Sequence, residues 1–376
     1  MNISFNKPYF CGNEIKLIED TLNRGKISGD KYYTEKVNTF IENKFNCQKA
    51  LFVTSCTAAL ELAALLIDLK SGDEVIMPSY TFSSTANAVL LRGAKVVFAD
   101  IDPNTMNIDP EDIKRKITNK TKSIFIVHYA GISCDMDAIM AIAKQHNLKV
   151  IEDAAQGVNA KYKNKYLGTI GNIGCYSFHE TKNYVCGEGG AILINNKSLL
   201  ERAEIIRDCG TDTGKFQRGE IDKYSWVDIG SSYLGADILA AFLYAQFEHL
   251  DKINEMRKKV FYYYYEHLKL LDEKKIIHMP FIPDYSSPNY HMFYIILRSE
   301  KERKYIIEKL KAVGISAVFH YFPLHLSKMG KILGYKKGDL PITEEYASRL
   351  LRLPLYPELE EEKLSFIIKN LYNLLL

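Results

Sequence analysis

The chain has 376 residues, 47% hydrophobic and 25% charged, the balance of a globular protein with a large core and room for one large domain plus a smaller one. Its formal charge of +3, from 49 Lys and Arg against 46 Asp and Glu, is too small and too evenly spread for a nucleic-acid binder. No run of 18 apolar residues suggests a membrane helix, MNISFNKPYF lacks the features of a secretory leader, and the scattered cysteines show no metal-ligand spacing, so a cytoplasmic protein with reduced thiols and no metal site is expected.

In chain order, Ala50 to Val53 has the continuous apolar character of a strand covered on both faces, and runs through Ser55, Cys56 and Thr57 into an expected buried helix over Ala58 to Leu69. Glu74 to Met77, Lys95 to Ala99, Ser123 to His128 and Lys149 to Glu152 read as further strands, the last preceded by a helix over Met136 to Asn147. This βαβ rhythm predicts an α/β fold, a mostly parallel sheet with helices on both faces. After Asn195 the pattern changes. Arg207 to Gly235, rich in Gly, Asp and Arg, is expected to be a long functional or intersubunit loop. A long, kinked helix is expected over Ile238 to Tyr265, with Phe261 to Tyr265 packing on the core. Met292 to Leu297 and Ile315 to Tyr321 read as strands flanking a helix over Glu300 to Val313. The chain thus divides into a large α/β domain over 1–245 and a small C-terminal α+β domain over 246–376.

Sites in open α/β sheets form beyond the carboxyl ends of the strands, and three such ends carry chemistry. Ser55-Cys56-Thr57-Ala58 joins a strand to a helix, so its backbone N–H groups could seat a phosphate, although Ser and Thr are also ordinary helix caps. Asp153 follows the strand ending in Glu152 and could cap a helix, bind a metal or hold a buried cationic nitrogen. Lys182, 29 residues downstream, lies in YSFHETKNYVCGEGG between an aromatic approach and a glycine-dense exit, an odd setting for a solvated lysine. Jointly, a phosphate seat, a carboxylate and a lysine are what pyridoxal 5'-phosphate needs. The amine forms a Schiff base with the aldehyde and the carboxylate keeps the ring nitrogen protonated.

The runs SCTAALELAALL, PSYTFSSTANAV, GAKVVFADIDPNTMNID, IEDAAQG and SFHETKNYVCGEGGAILIN together resemble the sugar-nucleotide aminotransferases of the DegT/DnrJ/EryC1/StrS family. The likeness continues through DKYSWVDIGSSYL, AVFHYFPLH and RLLRLPLYP, covers nearly the whole chain, and is nearest to members that make dTDP-4-amino-4,6-dideoxygalactose. The resemblance implies a fold type I PLP-dependent aminotransferase, with Lys182 as the Schiff-base lysine and general acid/base and Asp153 as partner of the pyridine nitrogen. It further implies Gln156 near the ring hydroxyl, Thr57, Ala58 and Ser177 near the phosphate, Phe82 against the ring face, and His320 and His325 facing the substrate. Ser232 falls where relatives often carry an asparagine that reaches the neighbouring subunit's phosphate, and Cys56 replaces their usual Gly or Ala.

The implied reaction moves an amino group from glutamate to C4 of a nucleotide-linked 4-keto-6-deoxyhexose, in a homodimer. Amination at C3 and a non-catalytic binding or regulatory role stand as alternatives. A dehydratase relative would replace Lys182 by histidine. A nicotinamide dehydrogenase would need GxGxxG after the first strand, where this chain has Ser-Cys-Thr-Ala.

Overall fold

The structure, a computed structural model, describes residues 2–376. A seven-stranded sheet forms its centre, in the order Lys49–Val53, Gly190–Ile194, Ile173–Ser177, Lys149–Asp153, Thr121–Val127, Glu74–Pro78, Lys95–Ala99. All neighbouring strands are parallel except Gly190–Ile194, which runs antiparallel to both of its neighbours, so the expected mostly parallel α/β sheet is what forms. Alternate residues of each strand enter opposite cores: Ala50 and Phe52 join one, Leu51 and Val53 the other. Helices Tyr32–Phe45, Met136–Gln145 and Asp237–Glu248 cover the first face, and Cys56–Leu66, Ser83–Leu90 and Leu200–Arg207 the second. Two-sided burial is why these strands read as unbroken apolar runs.

Local chemistry sets the helix starts. Ser55 accepts the N–H of Ala58 at 3.1 Å, Asp135 that of Ala138 at 3.1 Å, and Ser299 that of Glu302 at 3.1 Å. The long helix expected over Ile238 to Tyr265 is two helices, Asp237–Glu248 and Leu250–Glu273, because His249 takes non-helical angles (φ −115°, ψ 15°). Ala240, Ala241, Leu243 and Phe247 of the first pack on the sheet. Val260, Phe261, Tyr264 and Leu268 of the second build a separate core with Ile295, Leu351, Leu371 and, from the other end of the chain, Ile3.

That core surrounds a two-stranded antiparallel pair, Phe293–Ile296 with Leu350–Leu353. The strand expected over Ile315 to Tyr321 is not formed. The segment makes isolated bridges at Ile315 and Val318 and then turns at Tyr321, whose φ of 37° no strand accommodates. Arg207 to Gly235 is largely irregular, as expected, apart from the short helix Thr213–Gln217. No described helix is long and apolar enough to cross a membrane.

Candidate active site

Six parallel strands end on one side of the sheet, and the antiparallel strand Gly190–Ile194 begins there. Residues 178–189, which join the antiparallel strands Ile173–Ser177 and Gly190–Ile194, fold back through bonds from Phe178 N–H to Gly189 O (2.9 Å) and Glu180 N–H to Gly187 O (3.0 Å). Lys182 is carried on this loop. A cavity of about 470 Å³ opens here, lined by Ser55, Cys56, Thr57, Phe82, Asp153, Gln156, Ser177, Lys182, His320 and others. A larger cleft of about 730 Å³ lies elsewhere, between Tyr32, Asn38 and Arg218. It is lined by charged side chains and holds ion pairs such as Arg218–Glu204.

The floor of the cavity is built by close packing. A side chain at Gly190 would place its Cβ 2.5 Å from the Cys56 nitrogen and 2.6 Å from the Ser55 oxygen, so glycine lets the Ser55–Cys56 turn lie directly on the strand. The helix Cys56–Leu66 starts from that turn. Ser55 occupies the N–H of Ala58, and the preceding N–H groups of Cys56 and Thr57 have no partner within the helix. The Thr57 hydroxyl meets the Ser84 hydroxyl at 2.7 Å, which brings the start of the helix Ser83–Leu90 to the same wall. Phe82 stands at that helix's N-cap, 59% exposed, its ring 6.4 Å from that of Tyr321.

Asp153 is buried as the last residue of its strand, accepting from the Thr85 hydroxyl at 2.8 Å and the Ala155 N–H at 3.2 Å. Burial pushes its carboxyl above the ordinary value, against those hydrogen bonds and the charges of Lys182 and His128. Lys182 keeps contact with the cavity space while its ammonium is desolvated by the walls. Burial therefore lowers its pKa, opposed by the fields of Cys56 and Asp153 and aided by Arg352. An amine held toward its neutral form is a nucleophile for a carbonyl. Gln156 is fixed at both ends: its carbonyl accepts the Ala130 N–H at 2.7 Å and its amide donates to the Tyr321 hydroxyl at 3.1 Å.

The remaining wall comes from distant sequence. His320 stacks on Tyr321 at 3.6 Å between centroids, and its Nδ1 lies 2.8 Å from the Tyr129 hydroxyl. His291 Nδ1 bonds Asn183 Oδ1 at 2.9 Å. Burial, together with Lys182 and Arg352, holds both imidazoles well below the usual histidine value, so both are neutral.

The cavity thus gathers Thr57, Phe82, Asp153, Gln156, Ser177, Lys182 and His320. Ala58 lies outside the cavity lining, and its N–H is already taken by Ser55. His325 is a correction. It is fully buried away from the cavity, with Nδ1 2.7 Å from the Ser79 hydroxyl and Nε2 3.1 Å from Glu344, and both ring nitrogens are spent on tying the segments together. Ser232 is exposed, bridged to Asp208, and does not line its own chain's cavity. Thr85, His291, Tyr321, Arg352 and Phe5 were not singled out by sequence reasoning. The one available signal was Arg352, a lone charge inside the apolar run LLRLPL.

This donor set fits pyridoxal phosphate. It offers an amine whose pKa burial lowers, a buried carboxylate that accepts from a hydroxyl, an N–H and, at 4.0 Å, the Cys56 thiol, and N–H groups at a helix start with no partner within the helix.

A family model for the DegT/DnrJ/EryC1/StrS aminotransferase family matches residues 10–372. The chain is 32% identical to the GDP-perosamine synthase of Escherichia coli O157:H7 over 371 residues, covering 97% of this chain and 96% of that one. It is 33% identical to the spore coat polysaccharide biosynthesis protein SpsC of Bacillus subtilis, covering 98% and 95%. Among solved structures, the PMP form of Spr1654 from Streptococcus pneumoniae superposes with a TM-score of 0.93 at 26% identity, over 100% of this chain and 99% of that one; a PLP form of the same protein gives 0.91.

Proposed function

The chain belongs to the DegT/DnrJ/EryC1/StrS aminotransferase family, and from that premise we propose that it is a pyridoxal-phosphate-dependent sugar aminotransferase. We assign it transfer from glutamate to C4 of a nucleotide-linked 4-keto-6-deoxyhexose, dTDP-4-keto-6-deoxyglucose, for a surface polysaccharide or antigen. The observation that carries the reading is the convergence of Lys182 and Asp153 in one cavity beside the starts of two helices. The names of relatives in perosamine and coat-polysaccharide synthesis support a sugar acceptor.

When bound, pyridoxal phosphate supplies an electron sink that acidifies the donor's α-proton. Lys182 would hold it covalently through Nζ and, once displaced, would take the proton from the donor's α-carbon and, in the second half-reaction, deliver a proton to the sugar carbon. Asp153 would pair with the pyridine nitrogen and keep it charged, a preorganised field in a dry site. Thr57, Ser177 and the first N–H groups of the helix Cys56–Leu66 would hold the phosphate. Gln156 would sit by the ring hydroxyl, Phe82 would cover the ring, and His320 would face the sugar.

The active unit is a homodimer, with the loop over 207–235 laid across the two-fold axis and Ser232 directed to the neighbour's phosphate. Trp226 (79% exposed) and Tyr224 (58%) on that loop are the kind of residue a partner covers. The test of the function is to load the protein with pyridoxal phosphate, add glutamate and follow the visible absorbance. A panel of 4-keto and 3-keto nucleotide sugars with product NMR then fixes the acceptor. Bleaching by glutamate and a 4-amino product are expected; no response to glutamate, or amination at C3 alone, contradicts the assignment.

A further inference from the structure

His320 is held at its backbone and at its ring by two buried tyrosines. Tyr80 and Tyr129 are each 1% exposed and stand just past the ends of the neighbouring strands Glu74–Pro78 and Thr121–Val127. The Tyr80 hydroxyl donates to the His320 carbonyl at 2.7 Å, and the Tyr129 hydroxyl meets His320 Nδ1 at 2.8 Å. Tyr129 is itself fixed: its N–H is donated to Asn107 Oδ1 at 2.8 Å, and its ring packs on those of Tyr80 and Tyr294.

Counting protons decides the tautomer of the imidazole. A backbone carbonyl only accepts, so the one hydroxyl proton of Tyr80 is committed to His320 O. The proton of Tyr129 then has two acceptors within reach, the Tyr80 oxygen at 3.4 Å, beyond the normal O–H···O range, and His320 Nδ1 at 2.8 Å. With the proton on Nδ1 instead, the buried Tyr129 hydroxyl would be left with only the long contact, the less stable arrangement. Nδ1 therefore accepts. Burial, with the charges of Arg352 and Lys182, keeps the ring neutral, so its single proton sits on Nε2. His320 lines the cavity, and with Nδ1 turned to Tyr129 and the ring stacked on Tyr321 at 3.6 Å, the Nε2–H edge is the one left for a ligand.

The chemistry at Lys182 selects that ligand. A neutral N–H suits a neutral oxygen that gains charge only as the reaction proceeds. The oxygen of a ketone is of this kind. When an amine adds to its carbon the oxygen takes the electron pair of the C=O bond, and as the C=N bond forms it leaves as water with the two amine protons. His320 donates a hydrogen bond throughout and keeps its own proton.

We propose that Tyr129 is a positioning residue that fixes His320 as an Nε2–H donor to the oxygen of the ketone substrate. This rests on the aminotransferase reading above. Nitrogen-15 NMR of the histidine-labelled, cofactor-loaded protein reads the tautomer directly, the His320 signals being those missing from His320→Leu. An Nε2–H ring is expected near neutral pH; an Nδ1–H ring or an imidazolium in the wild type overturns the proposal whatever the variants do. Kinetics then separate steps that move oxygen from steps that do not. Tyr129→Phe should slow the reaction of the pyridoxamine-phosphate form with dTDP-4-keto-6-deoxyglucose, and with 2-oxoglutarate, about tenfold, the size of one hydrogen bond. Exchange of the glutamate α-proton with D2O moves no oxygen and should stay within about threefold. His320→Leu should slow the ketone step about a hundredfold, and adding Tyr129→Phe to it should change nothing further. Equal losses in exchange and ketone steps, or additive losses in the double variant, would overturn the assignment. A wild-type protein that neither exchanges the glutamate proton nor converts a ketone overturns the aminotransferase reading instead, before any variant is compared.

Discussion

Replacing Asp153 by Asn separates electrostatics from packing, because the site can keep its hydrogen bonds while losing its charge. The amide oxygen of Asn can accept the Ala155 N–H that Asp153 now receives at 3.2 Å. Its NH2 can donate to the Thr85 hydroxyl, now 2.8 Å away, and Thr85 can turn its own proton to Thr81, 2.9 Å distant. Burial already disfavours the carboxylate, so a neutral group costs the empty fold nothing, and the melting temperature without cofactor should hold or rise. The rate should fall sharply. Removing one preorganised charge from a dry site costs about 3 kcal/mol at the transition state, on the order of a hundredfold or more. Stopped-flow measurement of the glutamate half-reaction, beside thermal unfolding of the same variant, reads both quantities. A rate within about threefold of wild type would reduce Asp153 to a cap. A large drop in melting temperature would show that the charge serves the fold.

Four further outcomes follow from the same geometry. Burial lowers the pKa of Lys182, so the unfolded chain binds that proton more tightly and folding carries a penalty that fades as pH rises toward the ordinary value of 10.5. Lys182→Met without cofactor should therefore melt higher than wild type at pH 7, with the gap closing by about pH 10.5; a gap that widens with pH contradicts the sign. His325→Ala strands Ser79 and Glu344 and should cost about 2–4 kcal/mol in denaturant unfolding while changing KM for the sugar less than threefold, and a selective rise in KM would return His325 to the site. Gly190→Ala must displace the Ser55–Cys56 turn and should weaken cofactor affinity about tenfold or more by equilibrium dialysis, whereas unchanged affinity would detach that turn from the phosphate. Mixing inactive Lys182→Ala chains with chains inactivated in the 207–235 loop should restore part of the activity, and failure despite confirmed subunit exchange would show that each chain builds its site alone.

How much of this was legible depended on how far apart the cooperating residues lie. The sheet was readable because strands such as Ala50 to Val53 and Lys149 to Glu152 are apolar on both faces, and Ser55 and Asp153 follow or end one, while Lys182 lies on the loop after Ser177. Thr85, His291, Tyr321 and Arg352 were not, since each acquires meaning only when another segment is folded against it: Thr85 through Asp153, Tyr321 through Gln156, Arg352 through Phe5. The histidines of FHYFPLH show the same limit from the other side. Spaced five residues apart, His320 enters the cavity and His325 a buried latch to Ser79 and Glu344, with the backbone passing through a left-handed conformation at Tyr321 in between. Ile315 to Tyr321 has the composition of a strand, but only Ile315 and Val318 find partners, so composition without pairing left a loop.

The central claim is that Lys182 carries the cofactor, and covalent trapping tests it most directly. The protein is loaded with pyridoxal phosphate, reduced with borohydride, digested and mapped by mass spectrometry. The account predicts one phosphopyridoxyl group per chain, on the peptide containing Lys182 and lost in Lys182→Ala. Modification at another lysine, or none in a protein that still transfers amino groups, would contradict it.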